Sequence, residues 1–219
     1  CPNDEAKDQF NIPAWLDKMI ANNWLGDKTG QGFFKKMPPS PKGEKEIHTL
    51  DLDTMEYKPR VKPKFATIEA AKPIDDLYTR LKMLVAGQDK AGEFYRLFHY
   101  GLFSYISLRI PEISDEVYRV DDAMMAGFGW EIGAFESWDV LGVAKTTEAM
   151  KAAGYKVAAW IDEMIAAGNK SFYKVEAGKK YCYDPASKTY KALPGGDAFI
   201  VMSNYTDKLI WKNASCRLY

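Results

Sequence analysis

Few residues in this chain have the types and spacing that could do chemistry. Gly26-Asp-Lys-Thr-Gly-Gln-Gly32 is a loop of three glycines and a lysine. Its backbone amides, together with Lys28, could cradle an anionic phosphate. The same glycines serve equally well in a helix-to-strand turn that needs positive φ. No helix follows to strengthen anion binding at its N-terminus, so the turn is the weightier reading. Lys28, Gly30 and Gly32 are the candidate binding residues. His99 would need an oriented carboxylate partner to act as a general base, and neither Glu93 nor Arg96 provides one at helical spacing. It reads as a satisfied core histidine, and His48 as a surface residue of a hairpin.

Asp121, Asp122, Glu131, Glu136 and Asp139 are enough carboxylates for an acid/base pair. All lie near helix ends, where capping accounts for them. Met124 and Met125 read as core. Gly127-Phe-Gly129 sits at a helix end and lacks the third glycine of a dinucleotide loop. There is no CxxC or HExxH, and two histidines are too few for most metal sites. No residue is assigned as catalytic, cofactor-binding or metal-ligating.

The elements that would position these residues are mostly helical. Residues 12–23 carry Trp15, Leu16, Met19 and Ile20 on one face, and Pro13 suits the first turn. Pro38, Pro39, Pro41 and Gly43 rule out a helix beyond Phe34. Residues 47–52 and 55–58 flank Asp53-Thr54 as a hairpin. Thr67 and Asp75 can cap the next two helices. The helix over 90–109 is apolar on nearly every side and is expected to be the buried centre of a bundle. Val117, Val120 and Met124 form the inward stripe of the following helix. Gly129 closes it, and Phe135, Trp138 and Leu141 face inward on the next. Two further helices, over 145–153 and 157–167, precede short antiparallel strands at 172–175, 180–183 and 189–191.

A hydrophobic fraction of 47% marks a folded chain. Thirty basic residues balance thirty acidic ones, which gives no electrostatic pull toward nucleic acid or an anionic membrane. The longest apolar stretch, 97–108, is too short to span a bilayer. No signal-peptide pattern is seen. Three widely spaced cysteines fit a reducing cytoplasm better than a disulfide framework. The first residue is Cys1 and not methionine, so the chain reads as part of a longer protein.

The sequence also repeats itself. Ala14-Trp-Leu-Asp-Lys-Met-Ile-Ala21 matches Ala159-Trp-Ile-Asp-Glu-Met-Ile-Ala166. In each case an aromatic pair and a hairpin ending in Tyr-Lys follow in the same order. Residues 1–64 are expected to be the end of a first helical repeat plus its hairpin. Residues 65–195 are then the second repeat, and 196–219 a linker. Leu209-Ile-Trp211 looks like a strand with no return strand after it.

Two stretches resemble the helical C-terminal domain of the 3-hydroxyacyl-CoA dehydrogenases. Trp24-Leu-Gly-Asp-Lys-Thr-Gly-Gln-Gly-Phe-Phe34 is similar to that domain's closing motif. Val120-Asp-Asp-Ala-Met-Met-Ala-Gly-Phe-Gly-Trp-Glu-Ile-Gly-Ala-Phe-Glu-Ser-Trp-Asp139 is similar to an earlier one. Ala134 stands where that family has proline, and Trp138 where a leucine is common. The tail 208–219 resembles the segment leading into the crotonase (enoyl-CoA hydratase) domain of dehydrogenase-first fusions, a multifunctional arrangement that carries the helical domain twice. The resemblance implies a mainly α fold, a duplicated helical domain with small β-hairpins. It also implies a cytoplasmic oxidoreductase of fatty acid metabolism (β-oxidation) with acyl-CoA as substrate. NAD would be bound by a separate Rossmann domain, which carries a histidine base oriented by a glutamate. Those catalytic residues match nothing here, and the family's active-site asparagine would fall before Cys1. The phosphate that Lys28, Gly30 and Gly32 would meet is then that of CoA. A free-standing acyl-CoA- or protein-binding helical module is the competing reading, and a DNA-binding helical protein is disfavoured by the neutral charge.

Overall fold

The computed structural model describes residues 4, 6–39, 46–196, 198, 200–213 and 215–219. The expectations placed on Cys1, Pro41 and Gly43 lie outside them. Two compact units form, Cys1–Lys64 and Phe65–Tyr219.

In the first unit, α1 (Ala14–Ala21) follows Pro13, whose missing N–H costs nothing where no intrahelical acceptor exists. Strands β1 (Phe34–Lys36), β2 (Ile47–Asp51) and β3 (Glu56–Pro59) form an antiparallel sheet in that order. The sequence showed the β2–β3 hairpin but not β1, which is only three residues long.

The second unit carries seven α-helices among the described residues. They are α2 (Ala66–Ala71), α3 (Leu77–Ala86), α4 (Lys90–Leu108), α5 (Val117–Phe128), α6 (Ala134–Leu141), α7 (Val143–Ala152) and α8 (Ala159–Ala166). A second antiparallel sheet, β4 (Tyr173–Glu176), β5 (Lys179–Asp184) and β6 (Thr189–Ala192), follows α8. The fold is mainly α with small β-hairpins. Its core gathers Phe103 and Ile106 of α4, Val117 of α5, Phe135, Trp138 and Leu141 of α6, Ile161 and Met164 of α8, and Phe172.

Capping departs from the local reading. The side chain of Asp76, not Asp75, accepts the Thr79 amide at the start of α3. Thr67 caps nothing; its own amide donates to Asp89, which also accepts from Ala91 and Gly92 at the start of α4. One carboxylate therefore ties two helix starts together. Helix α4 is not buried on every side either. His99, Phe103 and Ile106 face inward, whereas Phe94 and Leu97 are 64% and 52% exposed.

The two sheets share their hairpin register. Leu50 pairs with Tyr57 and Thr49 with Lys58; Tyr183 pairs with Tyr190 and Cys182 with Lys191, each 133 residues later. The turns share a residue in the left-handed region, Met55 (φ 58°) and Lys188 (φ 55°). Lys58 pairs with Asp51 in one, Lys191 with Asp184 in the other. The Tyr57 hydroxyl donates to the Gly32 carbonyl and that of Tyr190 to Ser171. Trp15 lies 5.8 Å from Phe33, and Trp160 5.8 Å from Phe172. The two tryptophans are equivalent but half-buried, not fully buried as the helical period suggested.

The tail does make a return strand. Strand β7 (Trp211–Lys212) pairs antiparallel with β8 (Arg217–Leu218), and Asn213 Oδ1 accepts the Ser215 and Cys216 amides across the turn. The turn was missed because an Asx device and not a glycine makes it. An isolated two-stranded pair is marginal in water, and Ile210, Trp211 and Leu218 are exposed. Amides of residues 209–219 should therefore exchange with deuterium far faster than those of 97–106 in α4. Comparable protection in a dilute sample would make the tail part of the packed body.

Candidate functional site

The glycine loop of the first unit is built from the end of α1. Trp24 donates its amide to the Met19 carbonyl, and a short turn over Asp27–Thr29 then reverses the chain. Gly26 (φ 104°) and Gly30 (φ 81°) occupy conformations that side chains resist. Gly32 has a different reason: a Cβ there would sit 2.8 Å from the Gly26 Cα. Four of the loop's amides, those of its three glycines and of Thr29, are already hydrogen-bonded to nearby carbonyls. Gly26 donates to Gln31, Thr29 to Gly26, Gly30 to Asp27, and Gly32 to Phe34. The Thr29 hydroxyl accepts from Leu25.

Gly30 and Gly32 line a cleft of about 400 Å³ together with Phe33, Phe34, Lys36 and Arg60. Lys28 is exposed and is not among its walls. The cations at the cleft are Lys36 and Arg60, which the sequence reading missed. Sheet register brings them together. Lys36 sits opposite Ile47 on one side of β2, and the Arg60 amide donates to the Ile47 carbonyl on the other. Arg60 stacks over Phe34 with 5.1 Å to the ring centroid. Asp27 stands 3.6 Å from Lys36 across solvent, a weak pair that leaves the lysine available.

In the second unit, Asp121 is buried and Asp139 half-buried, and both hold backbone rather than a reacting group. Asp121 accepts the Phe135 and Glu136 amides at 2.8 and 3.0 Å, closing the N-terminus of α6, and also the Tyr173 hydroxyl. Asp139 accepts the Phe172 and Tyr173 amides at 2.7 and 2.9 Å where β4 begins. Both act as caps, but for elements distant in sequence. Burial pushes Asp121 up to about 6 against the amides and hydroxyl it accepts. Burial likewise pushes Asp139 up to about 7 against its two amides. Gly133 is required beside them, because a Cβ there would lie 2.2 Å from the Asp121 carboxyl carbon. Glu136 instead reaches Tyr78 and Lys180. Burial also pushes the Cys182 thiol up to about 12, leaving it a poor nucleophile.

His99 is half satisfied. Its Nδ1 lies 2.7 Å from the Tyr95 carbonyl, which can only accept, so Nδ1 carries the proton. Burial lowers its pKa, against the Tyr95 bond, and favours the neutral ring. His48 is not the surface residue expected. Its side chain is 15% exposed with Nε2 3.4 Å from Glu46, and its Nδ1 is buried without a partner among the described residues.

The described elements do not build a Rossmann-type dinucleotide loop. Gly129 closes α5 in the left-handed conformation, and every pairing among the described strands is antiparallel, so they form no βαβ unit. Among the described residues no three His, Cys, Asp or Glu side chains are grouped to hold a metal ion. None of the described helices is long and apolar enough to cross a membrane.

Comparison with known proteins gives the class. The chain is 36% identical over 180 residues to a probable 3-hydroxyacyl-CoA dehydrogenase of Bacillus subtilis, covering 82% of this chain and 22% of the relative. It is 25% identical over 121 residues to a putative fatty acid oxidation complex trifunctional enzyme of Rickettsia prowazekii, covering 55% of this chain and 15% of that protein. A similar match, 25% over 126 residues, is found in Rickettsia felis. No family model matches. No solved structure matches. The chain is thus homologous to a segment of a 3-hydroxyacyl-CoA dehydrogenase, as its two motifs implied, and spans about a fifth or less of the length of these curated relatives.

Proposed function

We propose that this chain is the helical, non-catalytic C-terminal part of an NAD-dependent 3-hydroxyacyl-CoA dehydrogenase of β-oxidation. It supports acyl-CoA binding and packs against the parent's Rossmann and crotonase domains. The observation that carries this reading is the match over most of this chain to a small share of a dehydrogenase relative. NAD and the catalytic His/Glu pair would belong to another segment of that parent; His48 and Glu46, 3.4 Å apart, match no motif of that pair. A crotonase neighbour is favoured by likeness to the trifunctional enzymes. A cytoplasmic location is favoured by the free thiols of Cys182 and Cys216.

Within the first unit, Lys28, Gly30 and Gly32 are the proposed contact for a CoA phosphate. With the glycine amides already bonded, Lys28 supplies charge and the two glycines supply shape, and Lys36 and Arg60 add the cations of the adjoining cleft. In the intact gene product, replacing both Lys28 and Lys36 by alanine should raise KM for 3-hydroxyacyl-CoA severalfold and leave kcat nearly unchanged, the signature of lost uniform binding. An unchanged KM would remove this loop from the acyl-CoA site.

A further inference from the structure

The second unit also holds a pocket with a cation from each of three helices and no acid among its walls. It lies between α3, α4 and α7, with a volume of about 230 Å³, several times the roughly 30 Å³ that a water takes up in the liquid. Lys82 comes from α3, Arg96 from α4 and Lys145 from α7, and Tyr100 and Thr146 also line it. None of the three cations forms an ion pair with a carboxylate among the described residues. Asp76, at the start of α3, feels the charge of Lys82, but its carboxylate accepts the Thr79 amide and is not a wall of the pocket. Arg96 is held through Nη1 by two carbonyls at the C-terminal end of α3, those of Val85 (2.9 Å) and Gly87. A helix C-terminus carries about half a negative charge, so it offsets only part of one cation and leaves an excess of about 2.5 positive charges. Such an excess repels itself until an anion joins it.

We propose that this pocket binds a phosphate group, as the free ion or as a small monoester. Cations arriving from three helices can each meet a different oxygen of a tetrahedral anion. A carboxylate offers two oxygens in one plane and satisfies fewer of them. Arg96 is fixed by backbone carbonyls before any ligand arrives, which lowers the cost of ordering it. Lys82 and Lys145 are exposed and supply charge on flexible stems. The pocket belongs to the second unit, whereas the CoA phosphate contact proposed above belongs to the first, so the two assignments fail separately.

Titration of the nitrogen-15-labelled full chain with inorganic phosphate, adenosine monophosphate and acetate, read at the Lys145, Thr146 and Ala149 amides, tests this. Phosphate should shift these amides saturably, should bind more tightly than acetate, and should weaken as salt is added. Replacing both Lys82 and Lys145 by alanine should weaken phosphate about tenfold, as the loss of two exposed charges allows. That variant should keep the parent's urea midpoint, because both side chains are exposed. Replacing Lys28 and Lys36 instead should leave this affinity unchanged. Tighter binding of adenosine monophosphate than of phosphate would assign the pocket to a monoester, and weaker binding to the free ion. No saturable shift, equal affinity for acetate, or unchanged affinity in the Lys82 and Lys145 variant would overturn the proposal. None of those results touches the dehydrogenase reading, which rests on the relatives and on the loop of the first unit.

Discussion

Trp138→Ala should cost the second unit about 3–5 kcal/mol, the range for truncating a large core aromatic. Trp138 is fully buried. Its ring lies 4.9 Å from Phe103 at an interplanar angle of 3°, and 5.3 Å from Phe172 at 56°. Three elements meet there: α4, α6 and the chain entering β4. The void could not collapse without moving α6, and Asp121 and Asp139 pin that helix at both ends. Trp138→Leu, the residue common in the family the motif resembles, should cost less, because leucine keeps part of the apolar volume. Urea denaturation of the three proteins measures this. An alanine variant within about 1 kcal/mol of the parent would mean that the aromatic cluster is not the core of this unit.

The second large effect is on pH dependence. Asp121 and Asp139 are held at about 6 and about 7 by burial, above the ordinary 3.8. The folded chain therefore binds more protons than the unfolded chain between these values, and its stability falls as pH rises through them. For Asp121 alone the displacement corresponds to about 3 kcal/mol at full ionisation. Asp51, Asp76 and Asp89, whose pKa values are lowered, act in the opposite sense, and only at lower pH. From about pH 5 to about pH 7.5 the buried pair dominates, and the denaturation midpoint should fall. Asp121→Asn removes one titration and should flatten the slope, while lowering stability throughout because it replaces one acceptor oxygen with a donor. A midpoint that climbs over the same interval would show that the two carboxylates are ionised at little cost.

The inward stripe of α6 was legible because Phe135, Trp138 and Leu141 recur at helical spacing. The likeness of the two hairpins was legible because the repeat aligns Tyr57 with Tyr190. The tertiary caps were not. Asp121 sits beside the exposed Asp122 in what reads as a polar pair. Only its place four residues after Val117, on the buried face of α5, hints that it turns inward. Helix α4 misled for the opposite reason: apolar residues all round suggest full burial, yet Phe94, Leu97 and Phe98 stay exposed. At the candidate site the glycines were found by composition. Lys36 and Arg60 were missed because they are 24 residues apart and only the pairing of β1 and β3 with β2 joins them.

The most direct test of the account is to compare NADH formation from 3-hydroxybutyryl-CoA and NAD by this chain and by the intact gene product. The intact product should turn over, and this chain should not rise above a blank, since its described strands form no βαβ unit and its two histidines match no motif of the family's catalytic pair. Turnover by the isolated chain, lost on replacing His99, would place the catalytic centre within it and contradict the central claim.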